Sequence, residues 1–384
     1  MNELRGRLLI GGRLVPGVLR WNAERIASID IDSNPAPQRE LPIVAPGFVD
    51  LHIHGFAGHD PIDHLPQMAA ALARVGTTAF QPTMFPATPA LLGTLCESVW
   101  REAEPCNRDL ASAPMSHVIG LHLEGPFVNP QRAGALPKED LAEPSLAALR
   151  EIVGPATAGG RGIRTLTIAP ELPGSAELIV ELVRLGIRVS LGHSAATADD
   201  ARSAVRAGAV GATHLFNAMS GVHHRDVGLA GYALSSSALH AELIGDLVHV
   251  GADAIRLALA ARGPKGLCLI SDALQGAGSG CDVFHSHGRA HERRGGAWYY
   301  PPNAGADARL AGSAMSQLEM VQGLVRNGVV SVEEALMMAA ETPARALGLE
   351  RELGVLAPGA RADIVALDAR TMELKSVVVG GRAV

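Results

Sequence analysis

His52-Ile53-His54 lies in the run VAPGFVDLHIHG (44–55). On an extended strand, residues i and i+2 point to one face, so the two imidazoles stand together at ligand distance. Alone, such a pair serves equally well as two half-buried histidines bonded to backbone. Its company changes the reading. Glu124 ends LHLE in LHLEGPF, His193 lies in VSLGHS, His214 in GATHLF and Asp272 in CLISDA. A carboxylate at the end of an apolar strand is costly unless paired or metal-bound. Four histidines and two carboxylates at the ends of apolar runs form a donor set for a divalent cation. Imidazole and carboxylate suit zinc first, and iron, manganese or cobalt also.

Such residues are far apart in sequence, so a fold must gather them. Eight short apolar runs recur, at 44–55, 77–85, 117–127, 163–172, 187–195, 211–219, 241–250 and 266–274. Between most of them lie helix-period segments such as HLPQMAAALARVG and AELIVELVRLG. The second places Leu178, Ile179, Leu182, Val183 and Leu185 at helical spacing. Eight βα units with right-handed crossovers predict an α/β fold, a (β/α)8 TIM-type barrel, with an open doubly wound sheet as the rival. The polar residues favour the barrel. They sit at the C-terminal ends of six runs, and only closure brings all of them into one ring.

The first 45 residues read as short strands, RLLIGGRLV and ERIASIDI, followed by the Pro-rich connector SNPAPQRELP. The tail from ELGVLAPGARADIVALD onward is strand-like again. The two ends are expected to pair as a small discontinuous β-sandwich domain. The predicted boundaries are 1–45 and 349–384 for its two parts and 46–348 for the barrel. Residues 276–310 interrupt the pattern as a hairpin or loop insertion, with helices expected at 312–327 and 331–341. There, His285, His287 and His291 resemble a second metal cluster but read as a solvated loop, because the segment is rich in Arg and Gly.

The chain has 384 residues, 47% hydrophobic and 19% charged, with a net charge of −6. This usage excludes a disordered chain and a coiled coil. Aromatics are only 3% and no basic tract occurs, so nucleic-acid binding lacks both phosphate-facing charge and stacking rings. Four cysteines without a CxxC pair make no disulfide framework. No apolar stretch reaches the ~18 residues of a membrane span. A cytoplasmic location with no membrane partner is expected.

PGFVDLHIHG, GLHLEGPF, SLGHSAAT, THLFNAM, RDVGLAG, SDA, LAGS and GVLAPGARADIVALD together resemble the amidohydrolase superfamily and, more narrowly, N-acetylglucosamine-6-phosphate deacetylases. The resemblance runs from about Ile43 to the end. It implies that Glu124, His193 and His214 hold a shared metal, that His52 and His54 build a second site, and that Asp272 is the catalytic aspartate and a ligand. One or two ions per subunit follow, and the HxH pair favours two. The resemblance also implies substrate contacts at Ala135, Leu136, Asn217, Ala218, Arg225, His249, Leu310, Ala311 and Gly312. The Asn217-Ala218 turn could cradle phosphate with backbone N–H groups, and Arg225 offers a two-pronged guanidinium. The implied substrate is a phosphorylated N-acetyl amino sugar, and the implied assembly is a homodimer with contacts that cross its interface.

The implied reaction is deacetylation of N-acetyl-D-glucosamine 6-phosphate. A galacto epimer, another N-acyl sugar and cyclic amides are the enzyme alternatives, and an inactive barrel scaffold is the alternative of another class. One position departs from the family. Where its members usually carry Gly-Ala-His-Pro, this chain reads Gly134-Ala135-Leu136-Pro137. Leucine has no hydrogen-bond donor for an acyl oxygen.

Overall fold

A computed structural model describes residues 1–32, 40–108, 114–154, 160–286, 288–301 and 308–384. Most of the Pro-rich connector, and His287, lie outside the described residues.

Strands β1 (Asn2–Ile10), β2 (Arg13–Asn22) and β3 (Arg25–Ile31) form an antiparallel meander, and β4 (Ile43–Pro46) pairs parallel to β1. One residue later β5 (Phe48–Ile53) opens the barrel. The run read as a single strand is therefore two, divided at Gly47. A Cβ there would fall 2.1 Å from Thr78 Oγ1, so only glycine lets the chain pass so close.

The barrel continues through β6 (Thr77–Met84), β7 (His117–Val118), β8 (Leu121–Glu124), β9 (Ile163–Ile168), β10 (Arg188–Leu191), β11 (Gly211–Ala212), β12 (His240–Ile244) and β13 (Leu267–Ile270). All pair in parallel in the order β13-β12-β11-β10-β9-β8-β6-β5, with β7 against β6. Each of the eight apolar runs contributes barrel strand. The seam between β13 and β5 is stitched at both ends. At the mouth, Asp272 N–H donates to His52 O and His54 N–H to Ala273 O, both at 2.9 Å. Lower down, the buried Gln317 amide donates to Val49 O at 3.1 Å and Leu269 O at 2.8 Å.

Two of the crossover helices show a single buried stripe. Helix α1 (Leu65–Arg74), with proline in its first turn, buries Leu65, Met68, Ala69, Leu72 and Ala73. In the helix at Ser175–Arg184, Leu178, Ile179 and Leu182 are buried, but Val183 is 44% exposed. The turn of 100° per residue carries Val183 past the edge of the buried stripe.

Residues 276–310 hold more than a hairpin. Strands β14 (Val283–Ser286), β15 (Arg289–Arg294), β16 (Ala297–Tyr300) and β17 (Arg309–Ser313) form an antiparallel sheet over the barrel mouth. Trp298 is fully buried beneath it. His291 is buried too, its ring stacked on Phe284 at 4.4 Å, which corrects the solvated-loop expectation for that residue. Strand alternation turned it inward among aromatic rings. His285 is exposed as expected.

After helices at Gln317–Arg326 and Val332–Ala339, β18 (Ile364–Leu367), β19 (Leu374–Val379) and β20 (Arg382–Ala383) return to β4. The result is one seven-stranded sheet, ordered β20-β19-β18-β4-β1-β2-β3. It curls on itself: Ile26 N–H donates to Ala360 O, and Trp21 Nε1 to Gly381 O. Leu8, Leu19, Ile26, Ile364 and Val378 share the core so enclosed.

Candidate metal centre and active-site cavity

The strand ends deliver the donors by a common device. Glu124 is the last residue of β8, and His52 lies within β5 with His54 just beyond it. His193, His214 and Asp272 each stand two residues past the end of their strand, β10, β11 and β13. All three have positive φ, 46°, 30° and 47°. The left-handed conformation costs a non-glycine residue on the order of 1 kcal/mol, and such strain persists only where surrounding structure imposes it. Here it turns each side chain from the strand line toward the barrel axis.

The four histidine Nε2 atoms converge on Glu124. Oε1 lies 2.9 Å from His193 Nε2, 2.9 Å from His214 Nε2 and 3.6 Å from His52 Nε2. Oε2 lies 3.2 Å from His54 Nε2. The nitrogens pair, His193 with His214 at 3.0 Å and His52 with His54 at 3.2 Å. Two donor groups result, His52-His54-Glu124 and Glu124-His193-His214, with Glu124 common to both. Asp272 Oδ1 is 3.5 Å from both His52 Nε2 and His54 Nε2.

The electrostatics ask for a cation. Burial disfavours a charge on His52, yet Glu124 and Asp272 lift its pKa well above the ordinary value. Burial likewise pushes the Glu124 carboxyl up, but His52, His193 and His214 together hold it well below the carboxylate range. A divalent ion between the nitrogens and carboxylates meets the same demand. Outer partners fit that use. His193 Nδ1 bonds Arg132 O at 2.9 Å, which fixes the tautomer with Nε2 as an acceptor. These buried groups can therefore hold a divalent metal.

His122 lies on the inward face of β8, below the donors. Its nitrogens are taken by Thr83 Oγ1 at 3.2 Å and Thr167 Oγ1 at 2.8 Å. Burial, then His52, depress its pKa well below the ordinary value. It is a neutral part of the barrel floor.

A cavity of about 190 Å³ opens over the cluster. Its walls include His54, Glu124, His193, His214 and Asp272, and also Ala135, Leu136, Asn217, Ala218, His249, Leu310 and Ala311. His52 sits behind this wall, fully buried. Two expected contacts are not in the cavity wall. Arg225 lies in an exposed turn, its Nη1 2.9 Å from His224 Nε2. Gly312 faces the Asp272 loop instead. A Cβ on it would meet Leu274 Cγ at 2.8 Å and Asp272 O at 3.0 Å. Its lack of a side chain lets β17 lie against that loop, where Ser313 N–H donates to Asp272 O.

Of the two N–H groups expected to cradle phosphate at Asn217-Ala218, one is engaged within the turn. The Asn217 N–H already donates to His214 O at 2.9 Å, closing the turn. What the turn offers the cavity is the Asn217 side chain and Ala218. His249 is well placed for an anion or hydroxyl. Burial lowers its pKa, but the 2.6 Å bond from Nδ1 to Asp246 outweighs that and raises it. With Nδ1 engaged, Nε2 is the nitrogen left for a ligand.

Sequence reasoning missed several participants. Glu242 Oε2 lies 3.4 Å from His52 Nδ1, and Asp50 Oδ1 accepts from His52 N–H and Ser271 N–H. Burial pushes the Asp50 carboxyl up to about 7. The Phe85 ring stacks on His54 at 3.9 Å. The signals were present: Asp50 shares the strand face of His52, and Glu242 is a lone carboxylate in the apolar run AELI.

A barrel whose strand ends gather four histidines and two carboxylates is the architecture of a metal-dependent hydrolase. The sequence profile of the amidohydrolase family matches residues 43–384. The chain belongs to the amidohydrolase family. It is 35% identical over 347 residues to an N-acetylgalactosamine-6-phosphate deacetylase of Escherichia coli O157:H7, covering 89% of this chain and 88% of that protein. It is 35% identical over 390 residues to the N-acetylglucosamine-6-phosphate deacetylase of Bos taurus, covering 97% and 90%. The crystal structure of N-acetyl-D-glucosamine-6-phosphate deacetylase from Mycobacterium smegmatis superposes with a TM-score of 0.83 at 31% identity, covering all of both chains.

Proposed function

We propose that this chain hydrolyses N-acetyl-D-glucosamine 6-phosphate to D-glucosamine 6-phosphate and acetate. One observation carries the reading: Glu124 is shared by two histidine pairs while Asp272 stands 3.5 Å from His52 and His54 at the floor of a sugar-sized cavity. A divalent ion held there supplies an acidified water at neutral pH and a Lewis acid for the acyl oxygen. Zinc suits the donor set best, with iron, manganese and cobalt as substitutes. The HxH pair supports two ions per chain.

Asp272 takes a proton from the attacking water and delivers it to the leaving amine, which cannot depart as an anion. Glu124 and the four histidines hold the reacting centre. Asn217 and His249 bind the sugar, with Ala218, Leu310 and Ala311 shaping its seat.

Arg225 is exposed and outside the cavity wall of its own chain. We assign it to the phosphate of a substrate bound in a neighbouring copy, which makes the working form a homodimer. Among the described residues no helix is long and apolar enough to cross a membrane, and we place the enzyme in the cytoplasm. The segments 1–45 and 349–384 act as one small domain beside the barrel of 46–348.

The galacto epimer is the second reading, because a relative at 35% identity carries that name. Acetate release from the phosphorylated gluco sugar, its galacto epimer and the unphosphorylated sugar tests the assignment. Preference for the phosphorylated gluco sugar supports it, and preference for the galacto epimer selects the second reading. Release from none, with metal bound, rejects both.

A further inference from the structure

A second cavity, of about 610 Å³, adjoins the catalytic one. The two share His54, Phe85 and Ala135 as walls. The larger one lies between the loop after β5, the start of the helix at Pro89–Arg108, and the inserted sheet. Ile62, Ala87, Leu91, Leu95, Leu274 and Phe284 form its apolar side, and Asp60, Asp63, Glu139, Asp140 and Arg289 stand on its polar side.

The walls of the catalytic cavity divide by polarity. Asn217 and His249 offer hydrogen bonds, whereas Phe85, Ala135 and Leu136 offer none from their side chains. Leu136 is buried against Val128 and Ala133, with Phe85 packed beside them. Where the family resemblance places a histidine, this chain therefore has an apolar side wall, and two of its residues, Phe85 and Ala135, also border the larger cavity. A secondary amide is planar and trans, so its acyl chain and its nitrogen substituent lie on opposite sides of the C–N bond. With the carbonyl at the Glu124 cluster and the sugar on the polar wall, the acyl chain faces Phe85 and Leu136.

Building on the deacetylase reading, we infer that the larger cavity is an acyl pocket. The enzyme hydrolyses hexosamine 6-phosphates carrying N-acyl chains longer than acetyl, N-butyryl among them, at least as well as the acetyl compound. The reaction is the same. Water adds to the acyl carbon, the C–N bond breaks, the nitrogen takes a proton, and a longer carboxylate leaves in place of acetate. Each methylene buried in an apolar site is worth about fourfold, so butyryl can exceed acetyl by up to about 15-fold.

The test compares kcat/KM for N-butyryl- and N-acetyl-glucosamine 6-phosphate in the metal-loaded wild type and in Ile62→Trp. Leu91→Trp, at a position 52% exposed, is the second variant should the first fail to fold. A butyryl-to-acetyl ratio of one or more that falls about tenfold in a folded tryptophan variant is expected, as two displaced methylenes require. A wild-type ratio below one, or a ratio unchanged by tryptophan, overturns the acyl pocket and leaves the deacetylase reading standing. Cleavage of neither substrate overturns the deacetylase reading, and the acyl pocket falls with it.

Discussion

Asp272 and His52 meet twice. The Asp272 N–H donates to His52 O at 2.9 Å, and Asp272 Oδ1 stands 3.5 Å from His52 Nε2. The first contact closes the barrel between its last and first strands. The second brings the carboxylate to the donor cluster. Closing the barrel and assembling the site are thus one structural event, so a side-chain change at 272 can leave the seam intact.

Asp272→Asn keeps the backbone bond and the side-chain shape but removes the proton acceptor. The variant should fold, retain its metal and lose turnover by about 10²–10⁴-fold, the usual worth of a positioned acid–base group. Thermal melting, metal analysis and acetate release check this together. Activity near wild type would remove the proton role from Asp272.

His52→Ala deletes one histidine of the His52-His54-Glu124 group and leaves Glu124-His193-His214 whole. The metal content should fall from about two ions per chain toward one. Elemental analysis after dialysis reads this directly, and an unchanged count would exclude His52 as a ligand.

These predictions draw on residues whose meaning was legible in the sequence, for a physical reason. His52 and His54 follow the period-two rule of strands, and Glu124 interrupts an apolar run with a charge that needs a partner. Position at strand ends then predicted that they meet, because a closed barrel has one mouth. Arg225 and Gly312 carried no such rule. Their motif neighbourhood marked them, but solvent exposure of the 225 turn and the close approach of β17 are set by tertiary packing. His291 was misread because Arg and Gly around it suggested solvent, whereas strand pairing in the insertion buried it against Phe284. Glu242 was missed because its meaning depends on His52, which is 190 positions away.

Arg225 separates a phosphate contact from a structural one. Its guanidinium is exposed, so Arg225→Ala should cost little stability. KM for the phosphorylated sugar should rise by roughly tenfold or more, the worth of a charge-assisted hydrogen bond, with the unphosphorylated sugar unaffected. Equal effects on both sugars would argue against the contact.

His117, at the N-terminal end of the barrel, supplies a pH dependence away from the metal. Burial, then Arg361, push its pKa down to about 4. Its folded pKa lies below the unfolded value, so protonation favours unfolding. The contribution is complete above about pH 6.5 and falls as pH drops toward 4, by about 1.4 kcal/mol per unit. Between pH 6.5 and 5, wild type should lose more stability in urea unfolding than His117→Gln. Parallel losses in the two proteins would show that His117 is not held neutral.

The most direct test of the central claim is acetate release from N-acetylglucosamine 6-phosphate as chelated protein is titrated with zinc. Activity should be absent without metal, rise as ions are added up to two per chain, and stay absent in Glu124→Gln at every zinc level. Turnover by metal-free protein, or restored turnover in Glu124→Gln, would contradict a reaction centred on Glu124 and its four histidines.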